Sequence, residues 1–313
     1  MEKKNMKGRQ APAGRSGGKT SGKTGAETTG GKAARGKASG KSGKASAKKG
    51  GGRKNKKEGK KGGSLLTTLI MLIAFGILAV SVYQIVMMVL PYYTGGQEYD
   101  KVKEMAVTEP DSGEEGEEKK PGDGFQVDFE ALLAENPDTV AWIRMEEPAI
   151  ISYPVVKSRD NEEYLTKTFS ANDNKLGAIF LDKRSHSSFT DRNSFIYGHN
   201  LKVGGEMFSQ LSAYADEEFC KQHPYFYIYT PDGMTKVYQV FSAGVVKAVA
   251  ENYNLNYNTD EDFLNYLELC KNSSNYQVEA DLHAGSRIVS LSTCTNVLED
   301  ERFLVQGVLI EEY

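Results

Sequence analysis

An unbroken apolar run near the amino terminus restricts most strongly what this chain can form. Residues 65–90 read LLTTLIMLIAFGILAVSVYQIVMMVL, and no charged residue occurs between Lys61 and Glu98. As a helix rising about 1.5 Å per residue, these 26 residues would extend roughly 39 Å. That length exceeds the ~30 Å hydrocarbon core of a bilayer. The sequence therefore predicts a transmembrane anchor helix over residues 64–91.

A cleaved signal peptide is the alternative for this run. Its apolar region would cover about 7–15 residues and end at a small-residue cleavage site, whereas Pro91 and two tyrosines follow here. A retained anchor is therefore the preferred interpretation. The dense Lys and Arg block before the run predicts, by the positive-inside rule, a cytoplasmic amino terminus and an extracellular body.

Charge is divided unevenly along the chain. Residues 1–61 hold 20 Lys and Arg against 3 Asp and Glu, a balance of +17. Because the whole chain has 39 basic and 42 acidic residues, net −3, the remainder carries −20. We expect the Lys/Gly-rich tail, residues 1–63, to be disordered, because it has almost nothing apolar to bury. We interpret its charge as a topology signal that also attracts anionic lipid headgroups, and we expect no nucleic-acid partner, although charge alone would permit one.

The remaining residues divide into a linker and one domain. Residues 92–124 include EPDSGEEGEEKKPGDG, which predicts an acidic extracellular linker because it is rich in Gly and Pro and lacks large apolar residues. The following residues, 125–313, are numerous enough for a sizeable core.

Strand signals dominate this domain. After a short amphipathic helix in VDFEALLAENP, β-branched or aromatic runs such as GAIFLD, NSFIYGH and RIVSLSTC recur between turn residues. GEMFSQLSAYADEEFCKQH and DEDFLNYLELCKN interrupt them with helical spacing. The predicted fold class is therefore mostly β, a barrel or a sandwich with a few peripheral helices.

All three cysteines lie in this domain, and their surroundings differ. An odd number leaves at least one thiol unpaired. Cys220 and Cys270 fall in the helical stretches, where burial as a small apolar side chain is the usual explanation. A disulfide between these two is the alternative. Cys294 ends an apolar strand between two threonines, a place where an accessible thiolate can be held. It is the candidate nucleophile.

His199 and Arg302 are the candidate partners of this thiol. His199 ends the run NSFIYGH directly after Gly198, where the backbone can turn or approach closely, so two predicted strands end on reactive side chains. Arg302 follows Cys294 by eight residues, and a hairpin would return its guanidinium to the thiol to stabilise an oxyanion. A surface or internally satisfied histidine, and a surface arginine in an acidic loop, are the alternatives for each residue alone.

Together these motifs resemble the sortases, the membrane-anchored cysteine transpeptidases of Gram-positive bacteria, and among them class B. The strand motif T-L-x-T-C is matched by residues 290–294, SLSTC, with Ser in place of the first Thr. YGHN at residues 197–200 matches the histidine motif, and Arg302 matches the arginine opening the last strand. The likeness covers residues 125–313. A predicted helix at residues 262–270, before the cysteine strand, resembles the class B insertion.

The resemblance implies a closed eight-stranded β-barrel and a thioacyl-enzyme reaction. Cys294 would attack a C-terminal sorting signal of a secreted protein. His199 would protonate the leaving amine and then deprotonate the incoming one. Arg302 would hold substrate and stabilise the oxyanion. The acceptor would be an amine of a lipid-linked peptidoglycan precursor or of a pilin.

The same resemblance implies a substrate groove and no cofactor. Its binding residues would be Asn161, Leu165, Tyr253, Ser292 and Thr293. No Cys/His spacing suggests a metal site. The partners would therefore be the secreted substrates, the amine acceptor and the membrane lipid around the anchor.

Two other functions remain open from the sequence. One is an extracytoplasmic cysteine protease or hydrolase, although the papain order of Cys before His and the caspase signature Q-A-C-x-G are both absent. The other is an inactive membrane-tethered binding module, against which the retention of Cys294, His199 and Arg302 argues. Substituting Cys294 would separate an enzyme from a binding module.

Overall fold

The computed structural model describes residues 62–109, 124–146, 151–201 and 204–313. The predicted disordered tail lies outside these residues, apart from Gly62 and Gly63 at the start of the first helix. Residues 110–123 of the predicted linker also lie outside them.

Four α-helices, ten strands and three short 3-10 helices make up the described part of the chain. The α-helices are α1 (Gly62–Ala106), α2 (Phe129–Glu135), α3 (Glu217–Gln222) and α4 (Asp260–Asn272). The strands are β1 (Val107–Thr108), β2 (Gln126–Val127), β3 (Thr139–Met145), β4 (Ile151–Val156), β5 (Ile179–Leu181), β6 (Asn193–Tyr197), β7 (Tyr225–Tyr229), β8 (Thr235–Lys247), β9 (Ile288–Cys294) and β10 (Glu301–Glu312). The 3-10 helices cover Glu163–Leu165, Ser209–Ala215 and Glu251–Tyr253.

Eight strands close into a barrel in the order β10-β8-β7-β3-β4-β5-β6-β9. This confirms the predicted mostly-β class and the eight-stranded barrel. The pairings of β4 with β5 and of β6 with β9 are parallel, and the other six are antiparallel. Closure pairs the strand edges that an open sheet would leave exposed. Strands β1 and β2 form a separate two-stranded sheet.

The core consists of side chains of the barrel strands, many of them buried on both faces, together with residues of the connecting segments. Trp142 on β3, Phe226 on β7 and Leu291 on β9 are fully buried. The ring of Phe226 stacks on Tyr238, with centroids 5.0 Å apart. A Cβ on Gly307 would lie 2.3 Å from that phenylalanine ring, so only glycine fits this position of β10 without a rearrangement.

Helix α1 extends beyond the apolar run and packs on the barrel domain. Residues 65–90 are all exposed, whereas Tyr99, Val102 and Ala106 are buried against the domain. Within the described residues, this is the one helix long and apolar enough to cross a membrane. The linker prediction began at residue 92 and is wrong for residues 92–106, which are helical. Packing of the helix against the barrel stabilises the helical conformation there despite Gly95 and Gly96.

The peripheral helices lie where helical spacing predicted them. Helix α4 confirms the predicted helix at residues 262–270, which it extends by two residues at each end, and it begins with a capping box of Thr259 and Asp262. Its buried face, which includes Phe263 and Cys270, packs over β8 and β10. The other predicted helical stretch divides into the 3-10 helix at Ser209–Ala215 and α3.

Candidate active site

The parallel pairing of β6 with β9 brings the predicted histidine and cysteine to one edge of the barrel. The ladder ends with Tyr197 opposite Ser292. His199 and Cys294 each lie two residues beyond that pair. Because neighbouring strands are about 4.8 Å apart, equal offsets along parallel strands place the two residues at adjacent positions of the rim.

Side-chain amides extend this pairing beyond the ladder. The backbone N–H of Gly198 donates to the carbonyl of Ser292 at 3.2 Å. Nδ2 of Asn200 donates to the carbonyl of Cys294 at 2.8 Å, and Nδ2 of Asn296 donates back to the carbonyl of Asn200 at 2.8 Å. The segment after β6 is thus fastened to the end of β9. Asn200 was not predicted as a site residue; its place in YGHN was the available signal.

The imidazole of His199 is held by backbone groups. Its Nε2 lies 2.8 Å from the carbonyl oxygen of Leu165. A carbonyl oxygen only accepts hydrogen bonds, so the Leu165 carbonyl requires a proton on Nε2 in this arrangement. Gly177, at φ +67°, lies under the ring, and a Cβ there would approach Cδ2 of His199 to 2.7 Å. Glycine is therefore required at this position for both conformation and contact.

Arg302 lies directly opposite Cys294 in the antiparallel β9–β10 ladder. The hairpin expected from the sequence is therefore present. Nη1 of Arg302 donates to the carbonyls of Glu299 at 2.8 Å and Glu301 at 2.9 Å. These bonds hold one terminal nitrogen of the guanidinium, whose remaining N–H groups can serve a ligand.

A cavity of about 220 Å³ opens over this row of side chains. Its lining includes seven of the eight predicted site residues, namely Asn161, Leu165, His199, Ser292, Thr293, Cys294 and Arg302. The hydroxyl of Thr293 is buried without a hydrogen-bond partner among the described residues.

Tyr253 is the one predicted site residue that does not line the cavity. It lies behind the wall, with its hydroxyl 2.8 Å from Oγ of Ser292. Its ring stacks on Phe195 with centroids 5.1 Å apart. Burial raises the pKa of Tyr253 to about 12, so the hydroxyl stays protonated and supports Ser292 from behind.

A buried carboxylate, missed by sequence reasoning, stiffens the opposite wall. Asp182 accepts hydrogen bonds from Nε and Nη2 of Arg184 at 2.9 and 2.8 Å, from the hydroxyl of Tyr197 at 2.8 Å and from Nδ2 of Asn161 at 3.1 Å. Burial opposes the charge of Asp182, but the bonds from Arg184 and Tyr197 outweigh it and hold its pKa below the usual value. Burial, followed by the charge of Asp182, raises the pKa of Tyr197.

The three cysteines are all free thiols in different surroundings. Because Cys220 and Cys270 are both free, the alternative of a disulfide between them does not hold. Both are buried, whereas Cys294 is partly exposed at the cavity. Burial raises the pKa of Cys270 to about 11 and also raises that of Cys220. Among residues with described positions, no group of three or more His, Cys, Asp and Glu side chains could hold a metal ion.

Comparison with known sequences agrees with this geometry. The sortase domain family matches residues 144–310 of the chain. Sortase B of Listeria monocytogenes is 34% identical over 179 residues, which cover 56% of this chain and 71% of that protein. Sortase B of Staphylococcus aureus is 27% identical over 185 residues, covering 58% and 75% respectively.

Solved structures give the same result. Sortase B of Clostridium perfringens has a TM-score of 0.55 at 27% identity, covering 59% of this chain and 100% of that one. Sortase B of Bacillus anthracis, in complex with AAEK1, has a TM-score of 0.59 at 28% identity, covering 71% and 99%. The chain therefore belongs to the sortase family of cysteine transpeptidases. Its similarity to sortase B proteins in both sequence and structure places it in class B.

Proposed function

We propose that this sortase cleaves the C-terminal sorting signal of a secreted protein through Cys294 and transfers the acyl group to an amine. One observation carries the proposal: β6, β9 and β10 align His199, Cys294 and Arg302 along one edge of a cavity. A structure described as a Staphylococcus aureus sortase B–substrate complex, 27% identical with a TM-score of 0.54, supports a bound substrate at this kind of site.

The first half-reaction forms a thioester. The Cys294 thiolate attacks the carbonyl carbon of the scissile peptide bond, and the guanidinium of Arg302 stabilises the oxyanion that develops. The C–N bond then breaks, and the imidazolium of His199 gives its proton to the departing amine. Because the Leu165 carbonyl retains the proton on Nε2, Nδ1 of His199 is the nitrogen that exchanges protons.

The second half-reaction releases the product. The acceptor amine attacks the thioester carbonyl and passes a proton to His199, and the C–S bond breaks to restore the Cys294 thiolate. We propose a peptidoglycan-precursor or pilin amine as acceptor. Proton transfer runs in opposite directions in the two halves, so a single imidazole serves both.

The cavity walls supply the peptide contacts. Thr293 lines the cavity and would contact the sorting signal. Asn161, Leu165 and Ser292 line the same cavity and would contact its side chains. Tyr253 would act through its hydrogen bond with Ser292.

We also propose the membrane arrangement of the chain. The exposed apolar residues 65–90 of α1 are its anchor, and residues 125–313 form the catalytic domain. The basic tail would be cytoplasmic and the barrel extracellular. This orientation would place the cavity in the compartment where secreted substrates and lipid-linked precursors meet.

The test is a single-turnover experiment on the full chain in detergent micelles. A panel of sorting-signal peptides is added with triglycine or diaminopimelate, and mass spectrometry follows the products, with Cys294→Ala as the inactive control and Cys270→Ala as a matched buried-thiol control. A Cys294-dependent adduct that converts to amine-ligated peptide supports the proposal. An adduct that gives only hydrolysed peptide indicates a protease. A folded chain that forms no adduct with any peptide would overturn the enzyme assignment and favour a binding module.

A further inference from the structure

The part of α1 beyond the apolar run contacts the segment that supports His199. We call this segment, residues 164–178, the histidine shelf. Its Leu165 carbonyl accepts the bond from His199, and its Gly177 lies against the imidazole ring. The shelf thus touches the Nε2–Cδ2 edge of the proposed acid/base at two points.

Tyr99 of α1 joins two separate points of the histidine shelf through one hydroxyl. This hydroxyl donates to the carbonyl of Gly177 at 2.8 Å and accepts from the backbone N–H of Phe169 at 3.1 Å. The side chain is buried, with its ring edge-on to Tyr153 at 5.4 Å. The Gly177 bond is made by the same residue whose Cα lies under the imidazole.

Glu98, next to Tyr99, fixes the middle of the histidine shelf. Its Oε1 accepts from the backbone N–H of Ser170 at 3.1 Å, and its Oε2 accepts from Nδ2 of Asn172 at 3.1 Å. Helix and shelf are therefore joined by side chains that belong to consecutive positions of α1.

Close approach of the helix backbone completes the contact. Nδ2 of Asn174 donates to the carbonyl of Pro91 at 2.9 Å. A Cβ on Gly95 would lie 2.6 Å from Cδ2 of Leu176, so the absence of a side chain there brings helix and shelf together. The part of α1 that contacts the histidine shelf extends over about two turns, from Pro91 to Tyr99.

We propose that Tyr99 is a positioning residue for His199, which makes the anchor helix part of the catalytic apparatus. The inference rests on the proposed role of His199 as acid and base. Tyr99 fixes Gly177, and Gly177 and Leu165 fix the imidazole. A misplacement of about 1 Å in a catalytic group can lower a rate by about 10²-fold, so loss of one anchoring hydroxyl is expected to affect turnover more than substrate binding.

Tyr99→Phe tests this, because it keeps the ring and removes only the hydroxyl. Tyr93→Phe is the matched control on the same helix, since its hydroxyl is exposed and bonds only to Gln97 among the contacts described for it. Both variants are made in the full chain in detergent micelles. The substrate is the sorting-signal peptide that reacts best in the panel above, with triglycine as acceptor.

We expect Tyr99→Phe to lower kcat about tenfold, to leave KM within about twofold and to shift the pH profile of kcat. Tyr93→Phe should match the parent in all three. The ¹⁵N imidazole resonances of His199 should move in Tyr99→Phe alone, a readout that needs no turnover. Equal kcat, pH profile and His199 resonances in both variants would overturn the inference.

His199→Ala separates this inference from the proposed function. If His199→Ala abolishes transfer while Tyr99→Phe is silent, the positioning role fails and the proposed function stands. If His199→Ala leaves transfer unchanged, the proposed function fails. Should Tyr99→Phe not fold, Glu98→Gln, which weakens the neighbouring contact with the histidine shelf, is expected to lower kcat in the same direction, and an unchanged kcat would count against the proposal.

Discussion

Strands β6, β9 and β10 carry two polar clusters, one covered and one open. In the covered cluster, under α4, Nδ2 of Asn193 donates to the hydroxyl of Tyr266 at 2.9 Å. Oγ of Ser290 donates to Oδ1 of Asn193 at 3.0 Å, and Nε2 of Gln306 donates to Oγ of Ser290 at 2.9 Å. Cys270 of α4 packs beside them, fully buried. Side chains of the cluster therefore satisfy one another.

The open cluster is formed by His199, Cys294 and Arg302 at the rim reached by the same three strands. Here the imidazole and the guanidinium bond to backbone carbonyls, and a cavity replaces the covering helix. The difference indicates that polar side chains on these strands with a cysteine nearby do not by themselves make a site. Under the proposed function, access through the cavity and free N–H groups distinguish the open cluster from the covered one.

The two thiols give the sharpest contrast. We expect Cys294→Ala to lower peptide cleavage by about 10³-fold or more, because the nucleophile is removed, with little change in thermal stability. Cys270→Ala should leave activity within about twofold and lower stability by about 1 kcal/mol or more through lost packing. Peptide cleavage assays and thermal unfolding of both variants measure this. Comparable activity losses in the two variants would contradict the distinction between the clusters.

The glycine under the imidazole tests how tightly the open cluster is held. Gly177→Ala is expected to lower kcat about 10²-fold, since the added Cβ would lie 2.7 Å from the His199 ring. Gly233→Ala is the matched control. It has a similar positive φ of +85°, but no atom within 4 Å of the added Cβ.

Both glycine substitutions carry the same backbone strain, about 1 kcal/mol, so a similar loss of thermal stability is expected from that source. Activity should fall only in Gly177→Ala. If Gly233→Ala lost as much activity, strain rather than contact with the imidazole would be the cause.

Removing one tyrosine hydroxyl from each cluster is a smaller change that also distinguishes the two clusters. Tyr266→Phe removes a hydroxyl that donates to the carbonyl of Asn252 at 2.6 Å and accepts from Asn193. Leaving those buried partners unsatisfied should lower the free energy of unfolding by roughly 1–3 kcal/mol without changing kcat. Tyr253→Phe loses the bond to Ser292 beside the cavity and should instead raise KM a few-fold. Chemical unfolding and steady-state kinetics distinguish them, and the reverse pattern would refute the assignment.

The smallest expected effect is a pH dependence of the stability that Cys270, in the covered cluster, contributes to the fold. Burial raises the pKa of Cys270 from 9.0 to about 11, so the native state retains this proton at a pH where the unfolded chain has lost it. The stabilising contribution is therefore complete below pH 9 and is lost as pH rises to about 11.

Cys270→Ala should remove this part of the alkaline loss of stability. Thermal unfolding midpoints of the parent and the variant between pH 8 and 11 provide the measurement. The buried tyrosines titrate in both proteins, so only the difference between the curves reports on the thiol. Parallel curves would show that the thiol makes no such contribution.

Local patterns predicted the open cluster well. Two strand-like runs end on His199 and Cys294, and Arg302 follows eight residues later. These features could be recognised from short stretches of sequence and from the order of the motifs. Asp182 could not be found in this way. Its partners are brought to it by the fold, and no spacing in the sequence marks the aspartate after β5 as buried.

The docked half of α1 was misjudged for a different reason. Tyr99, Val102 and Ala106 fall at helical spacing and form the buried face, but Gly95 and Gly96 and the charged residues after them indicate a linker by composition. The glycines instead permit close contact with the histidine shelf and with Glu206. Sequence alone does not distinguish a glycine in a flexible linker from one that allows another segment to pack closely against the backbone.

The pairing of β6 with β9 joins residues 95 positions apart, as Asn193 and Ile288 show. Every other described strand is synthesised before β9 and β10. Until those two strands are added, β6 and β8 each lack one neighbour, and distant pairing of this kind forms slowly. A nascent or half-folded chain therefore has no thiol beside its imidazole. Under the proposed mechanism, the enzyme becomes able to form its thioester only once its own barrel has closed.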